Sequence, residues 1–115
     1  MTLKACSLAA LLLYPAALLG QDSSLVRPYS AVDCPSCEGW NAPRQPSHLF
    51  GNTFYVGTGG LAALLITSSD GHILIDAGLP NSAPLILSNV RELGFDPAEI
   101  RIILNSHAHY DHAGG

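Results

Sequence analysis

The chain has 115 residues, with five Lys plus Arg against nine Asp plus Glu and a formal charge of −4. That length suits one small domain, and so few cations leave no basic surface for a phosphate backbone, which argues against a nucleic-acid partner. Residues 1–20 carry Lys4, the apolar run ALLLYPAALLG and a small residue, Gly20, at a possible cleavage point. The run is broken by Pro15 and is shorter than the roughly 20 apolar residues of a membrane span. It reads as a cleaved signal peptide, with an uncleaved anchor as the lesser alternative, and the protein as periplasmic or secreted with no membrane association after cleavage. Cys6 lies ahead of that run, without a lipid-attachment pattern at the end of the segment, which argues against a lipoprotein. Much of the 48% hydrophobic content belongs to this segment, so the real core is smaller than the composition suggests.

Residues 21–48 read as an N-terminal arm in which Pro28, Pro35, Pro43 and Pro46 prevent any regular element. Cys34 and Cys37 form one C-x-x-C pair ahead of any strand. They read as a local disulfide, or as thiols that pair with cysteines elsewhere; a metal or redox role is the lesser reading. From Leu49 three runs follow, LFGNTFYVG, LAALLITS and HILID, separated by TGG and SSDG, and each is expected to be a strand. Asp70-Gly71 predicts a hairpin over Leu61 to Asp76. The near-continuous LAALLI suits a strand buried on both faces.

After Asp76 the apolar period changes to about 3.6. Asn81 or Ser82 can cap a helix, Pro84 is tolerated in its first turn, Ile86, Val90 and Leu93 share a face, and Gly94 supplies a left-handed stop. Asp96 with Glu99 predicts a short helical turn, and Arg101 to Asn105 a further strand. The result is an α/β layer, a sheet with one covering helix and a second apolar face that nothing in these residues covers. The chain is therefore expected to be the N-terminal portion of a longer protein, with 49–115 as half of a domain.

His107, His109, Asp111 and His112 fall within six positions after that strand. Residues two apart in extended chain point to one side, so His107 and His109 would aim at one point. Imidazole nitrogen and carboxylate oxygen are zinc donors, and a catalytic zinc has three protein ligands and an open position. Asp111 and His112 could serve a second metal close to the first. Ala113, Gly114 and Gly115 would let the backbone pass the metals and start a helix. A nickel or storage site is the lesser reading, and His48 and His72 read as ordinary residues.

The pattern H-x-H-x-D-H after an apolar strand resembles the signature of the metallo-β-lactamase superfamily. The segment GNTFYVGTGGLAALLITSSDGHILIDAGLP, the helix with RELGF and the strand before the histidines are similar to subclass B3 enzymes, over about Trp40 to Gly115. The resemblance implies the first half of an αβ/βα sandwich, with a mixed sheet and covering helix, incomplete here. It implies two zinc ions, His107 and His109 on the first, and Asp111 and His112 on the second, with the remaining ligands in the other half. It also implies that Asp76 lies beneath the site and orients backbone or a ligand histidine.

The activity so implied is hydrolysis of a small-molecule β-lactam, and hence antibiotic resistance, by a metal-bound hydroxide with Asp111 positioning it and relaying its proton. No G-x-S-x-G or S-x-x-K points to a covalent intermediate. Glyoxalase II-like thioesterases and lactonases carry the same motif and are the alternative. A third reading is a non-catalytic half-domain, and these 115 residues alone are expected to be inactive. Oligomeric state is open.

Overall fold

The computed structural model describes residues 34–115, so the expected signal peptide and the first part of the arm lie outside the described residues. Five strands form one sheet in the order β1-β2-β3-β4-β5. They are β1 Ser47–Phe50, β2 Thr53–Tyr55, β3 Leu64–Ile66, β4 His72–Ile75 and β5 Ile100–Leu104. The first four pair antiparallel, whereas β5 runs parallel to β4. A parallel neighbour needs a crossover, and the helix α2, Ala83–Glu92, supplies it.

The run expected as one strand, LFGNTFYVG, is two. Gly51 takes φ 55°, and this Gly-Asn pair turns the chain into a two-residue hairpin, the conformation that glycine permits at least cost. The His48 ring holds the turn through Nε2, 2.8 Å from Gly51 O. The Asp70-Gly71 hairpin is present between β3 and β4, with Leu64 opposite Ile75 and Ile66 opposite Ile73.

In the arm, Cys34 and Cys37 form a local disulfide, the first of the expected pairings. The departure from expectation is that the loop they close leads into a single helical turn, α1 Cys37–Trp40. Pro35, Pro43 and Pro46 flank this turn and β1 without interrupting either. The segment is then stitched to the sheet: Thr58 Oγ1 donates to Trp40 O at 2.6 Å, Gly59 N to Ala42 O at 2.7 Å, and the Arg44 guanidinium lies 4.5 Å over the Tyr55 ring.

Helix α2 packs on one sheet face, where Val56, Ala63, Leu65, Leu74, Ala77, Ile86 and Val90 form the core. Ile86 and Val90 lie inward as expected, and Gly94 follows with φ 87°. Ser82 precedes the helix, yet its hydroxyl serves the adjacent loop, accepting from Leu79 N at 2.9 Å and donating to Asn41 Oδ1 at 2.6 Å. Buried Asn89 ties helix to sheet, donating to Val56 O and Gly57 O at 3.0 Å each. A 3-10 turn, Pro97–Glu99, is capped by Asp96, whose Oδ1 accepts from Ala98 N at 2.9 Å.

The other sheet face is half-open. Leu65 is fully buried, but its neighbours Leu64 and Ile66 are only half-buried, so the strand expected to be covered on both faces is covered on one. In register beside them lie Ile73 and Ile75, and then Ile102 and Leu104, which are 48% and 50% exposed.

Candidate metal centre

Because β4 and β5 are parallel, their carboxyl ends lie side by side, the edge at which open α/β sheets bind ligands. Asp76 leaves β4 there with φ 59°, a left-handed conformation that aspartate tolerates better than most residues. Asp76 N still extends the ladder, donating to Leu104 O at 2.8 Å. The carboxylate then spans to the chain leaving β5: Oδ1 accepts from Ser106 N at 2.7 Å, and Oδ2 from Ser106 Oγ at 2.6 Å.

Beyond Ser106 the backbone bends through 106–109 and winds into α3, Tyr110–Ala113. The helical turn thus opens at Tyr110 and contains Asp111 and His112, earlier than the expected start at Ala113. A parallel bridge joins Gly78 to Ala113, and Ala77 N donates to His112 O at 2.9 Å. These contacts give the small residues a packing role. A Cβ on Gly114 would lie 2.5 Å from Pro80 Cδ and closer still to Tyr110 O, so Gly114 permits packing of α3 on the loop after β4.

The four candidate donors fall into two pairs. The rings of His107 and His109 are 4.2 Å apart between centroids, both on exposed residues. They meet as predicted, although through a bend and not through a continued strand. His112 is half-buried: its Nδ1 lies 3.0 Å from Asp76 Oδ2 and its Nε2 faces Asp111 Oδ2 at 3.6 Å. The His107 ring joins the pairs, 5.4 Å from that of His112. Among the described residues no three His, Cys, Asp or Glu converge as a cage for one metal ion.

The donor chemistry nevertheless fits zinc, as imidazole nitrogen and carboxylate oxygen are its ordinary ligands. The hold on His112 fits as well, since a ligating imidazole characteristically gives its other N–H to a carboxylate. Asp76 both anchors backbone and contacts this histidine, the two tasks expected of it. Burial raises the pKa of Asp76, but the hydrogen bonds from Ser106 and His112, together with the charge of His112, outweigh burial and leave it below the ordinary value.

Ser106 was not legible in the sequence as part of this cluster. Its one signal is position, a hydroxyl directly before the histidines and at the exit of a strand whose neighbour ends in aspartate. His48 and His72 lie away from this edge; His72 is buried, edge-on to Phe95 at 5.4 Å.

Comparison with known proteins follows the same residues. The sequence profile of the metallo-beta-lactamase superfamily matches residues 56–115. Among solved structures, the metallo-β-lactamase MIM-1 from Novosphingobium pentaromativorans is 60% identical with a TM-score of 0.65, over 66% of this chain and 28% of that one. MEM-A1, a subclass B3 metallo-β-lactamase from a soil metagenome library, is 56% identical with a TM-score of 0.65, over 66% of this chain and 29% of that one. Among curated relatives, the N-acyl homoserine lactonase AttM of Rhizobium johnstonii is 35% identical, over 44% of this chain and 27% of the lactonase. The chain thus spans less than a third of the length of these relatives. The mixed sheet with its covering helix matches the first half of the metallo-β-lactamase fold.

Proposed function

This chain belongs to the metallo-β-lactamase superfamily, and on that footing we propose that the protein carrying it is a zinc-dependent hydrolase that opens the amide bond of β-lactams. The observation that carries this reading is the 60% identity to a metallo-β-lactamase over 66% of this chain. The apolar segment at residues 1–20 supports a place in the periplasm or outside the cell.

In this reading His107 and His109 hold one ion and Asp111 and His112 its neighbour. Zinc, when bound, supplies a Lewis acid that lowers the pKa of a coordinated water toward neutrality and polarises a carbonyl. The chain's own residues do the rest. Asp111 is the catalytic residue, its carboxylate orienting the attacking water and accepting its proton. His112 is kept in place by Asp76, whose pKa, although raised by burial, is held below the ordinary carboxylate value by the hydrogen bonds from Ser106 and His112.

A second reading, lactone hydrolysis, is favoured by the curated N-acyl homoserine lactonases at 28% to 35% identity. Both readings use an attacked carbonyl, and the motif is common to them. The test is hydrolysis by the purified, zinc-loaded whole protein of a carbapenem and, separately, of an N-acyl homoserine lactone. Carbapenem turnover that stops with EDTA and returns with zinc is the expected result. Turnover of the lactone with no action on the carbapenem would replace the first reading by the second.

A further inference from the structure

The cluster at the strand ends contains more constraint than four ligands need, and the constraint runs through Ser106. Asp76 is ionised and only accepts. The Ser106 hydroxyl has one proton, and the 2.6 Å contact to Asp76 Oδ2 uses it. Ser106 Oγ also lies 3.2 Å from His112 Nδ1, and Asp76 Oδ2 lies 3.0 Å from the same atom. Both partners present only lone pairs to that nitrogen. The proton in these contacts must therefore come from His112, as Nδ1–H shared between the two oxygens.

We propose that Ser106 is a positioning residue: by giving its proton to Asp76 it becomes a second acceptor for His112 Nδ1–H, and so fixes the imidazole with Nε2 unprotonated and turned toward Asp111. The inference rests on the assignment of His112 as a ligand for its purpose, but not for its geometry. An imidazole in the other tautomer would present Nε2–H, which cannot coordinate a metal. Threonine at 106 would preserve the arrangement, and alanine would leave Asp76 Oδ2 with one donor fewer and His112 with one acceptor.

The experiment is ¹⁵N NMR of the His112 ring in the zinc-free protein, at a pH where it is neutral, for the wild type, Ser106→Ala and Ser106→Thr. The wild type and Ser106→Thr should be predominantly Nδ1–H. In Ser106→Ala the ratio of Nε2–H to Nδ1–H should rise about fivefold, the worth of one hydrogen bond. Competition with a zinc chelator should show about tenfold weaker zinc binding for Ser106→Ala and recovery in Ser106→Thr. A wild type that is mainly Nε2–H, or a Ser106→Ala tautomer ratio equal to that of the wild type, overturns the proposal. If Ser106→Ala does not fold, Ser106→Cys, whose thiol is a poorer donor, carries the same comparison. Should the tautomer pattern appear while even the wild type takes up no zinc, the ligand assignment of His112 fails and the positioning by Ser106 stands.

Discussion

The two pairs of donors at the end of β5 are held in different ways. His112 sits half-buried on α3, with its backbone oxygen bonded to Ala77 N and its ring against Asp76 and Ser106. His107 and His109 lie on the preceding bend, exposed, and among the described residues neither ring has a hydrogen-bond partner. One pair is therefore part of the fold, whereas the other is displayed by it. The difference teaches that a ligand run adjacent in sequence need not be uniformly preorganised. Here the residue farthest along the run is the most constrained, because it reaches back to the strand next door.

Removing the anchor should have the largest effect. Asp76→Ala leaves the Ser106 N–H and hydroxyl without their acceptor, takes one of two acceptors from His112 Nδ1, and places alanine at a positive φ. A loss on the order of 3 kcal/mol is expected in urea unfolding followed by far-UV circular dichroism, since hydrogen bonds to charged groups contribute about 1.5 to 3 kcal/mol each. A loss under about 1 kcal/mol would mean that Asp76 does not hold the two strand ends together. Next comes Gly114→Ala, whose Cβ would press on Pro80 Cδ at 2.5 Å and on Tyr110 O. It should cost about 1 to 3 kcal/mol, and amide exchange at Ala77 should speed up as α3 lifts from the loop. Unchanged exchange there would detach α3 from the anchored half.

Acid should discriminate between the halves by a smaller amount. The folded-state pKa of Asp76 lies below its ordinary value, so its stabilisation is complete above the unfolded value of about 3.9 and is lost as pH falls through the lower folded value. Between pH 5 and strongly acidic solution the wild type should lose stability more steeply than Asp76→Asn, in each case by urea midpoints. Parallel acid profiles for the two proteins would show that this carboxylate is not the coupled group.

What the sequence disclosed follows the same division. Periodicity showed α2, the turn at Asp96 and the strand into the histidines, because each is written locally in apolar spacing and capping residues. Residue type and spacing likewise brought out His107, His109, Asp111 and His112 as donors. The break at Gly51-Asn52 was also written locally, but the flanking apolar residues suggested one continuous strand. Ser106 was hidden for another reason: its partner Asp76 is thirty residues away in the chain, and only the parallel register of β4 and β5 brings them together. The helical turn α1 starts at Cys37, at the end of the loop that the Cys34–Cys37 bond closes, a bond whose partners composition alone left open.

The smallest effect on stability is expected at the displayed pair, and it is the sharpest test of the contrast. His107→Ala and His109→Ala remove exposed rings whose contacts are chiefly with each other. Surface changes of this kind stay within about 0.5 kcal/mol, so urea midpoints should hardly move. Zinc binding should respond quite differently, because each ring is half of the donor set proposed for one ion, and loss of a ligand weakens a site that has few. Chelator competition should show at least about tenfold weaker binding for either variant, while Asp76→Ala combines weaker binding with instability. If His107→Ala instead destabilised the fold as much as Asp76→Ala, the two halves would be equally structural, and the exposed rings would have to be holding the bend at residues 106–109 in place.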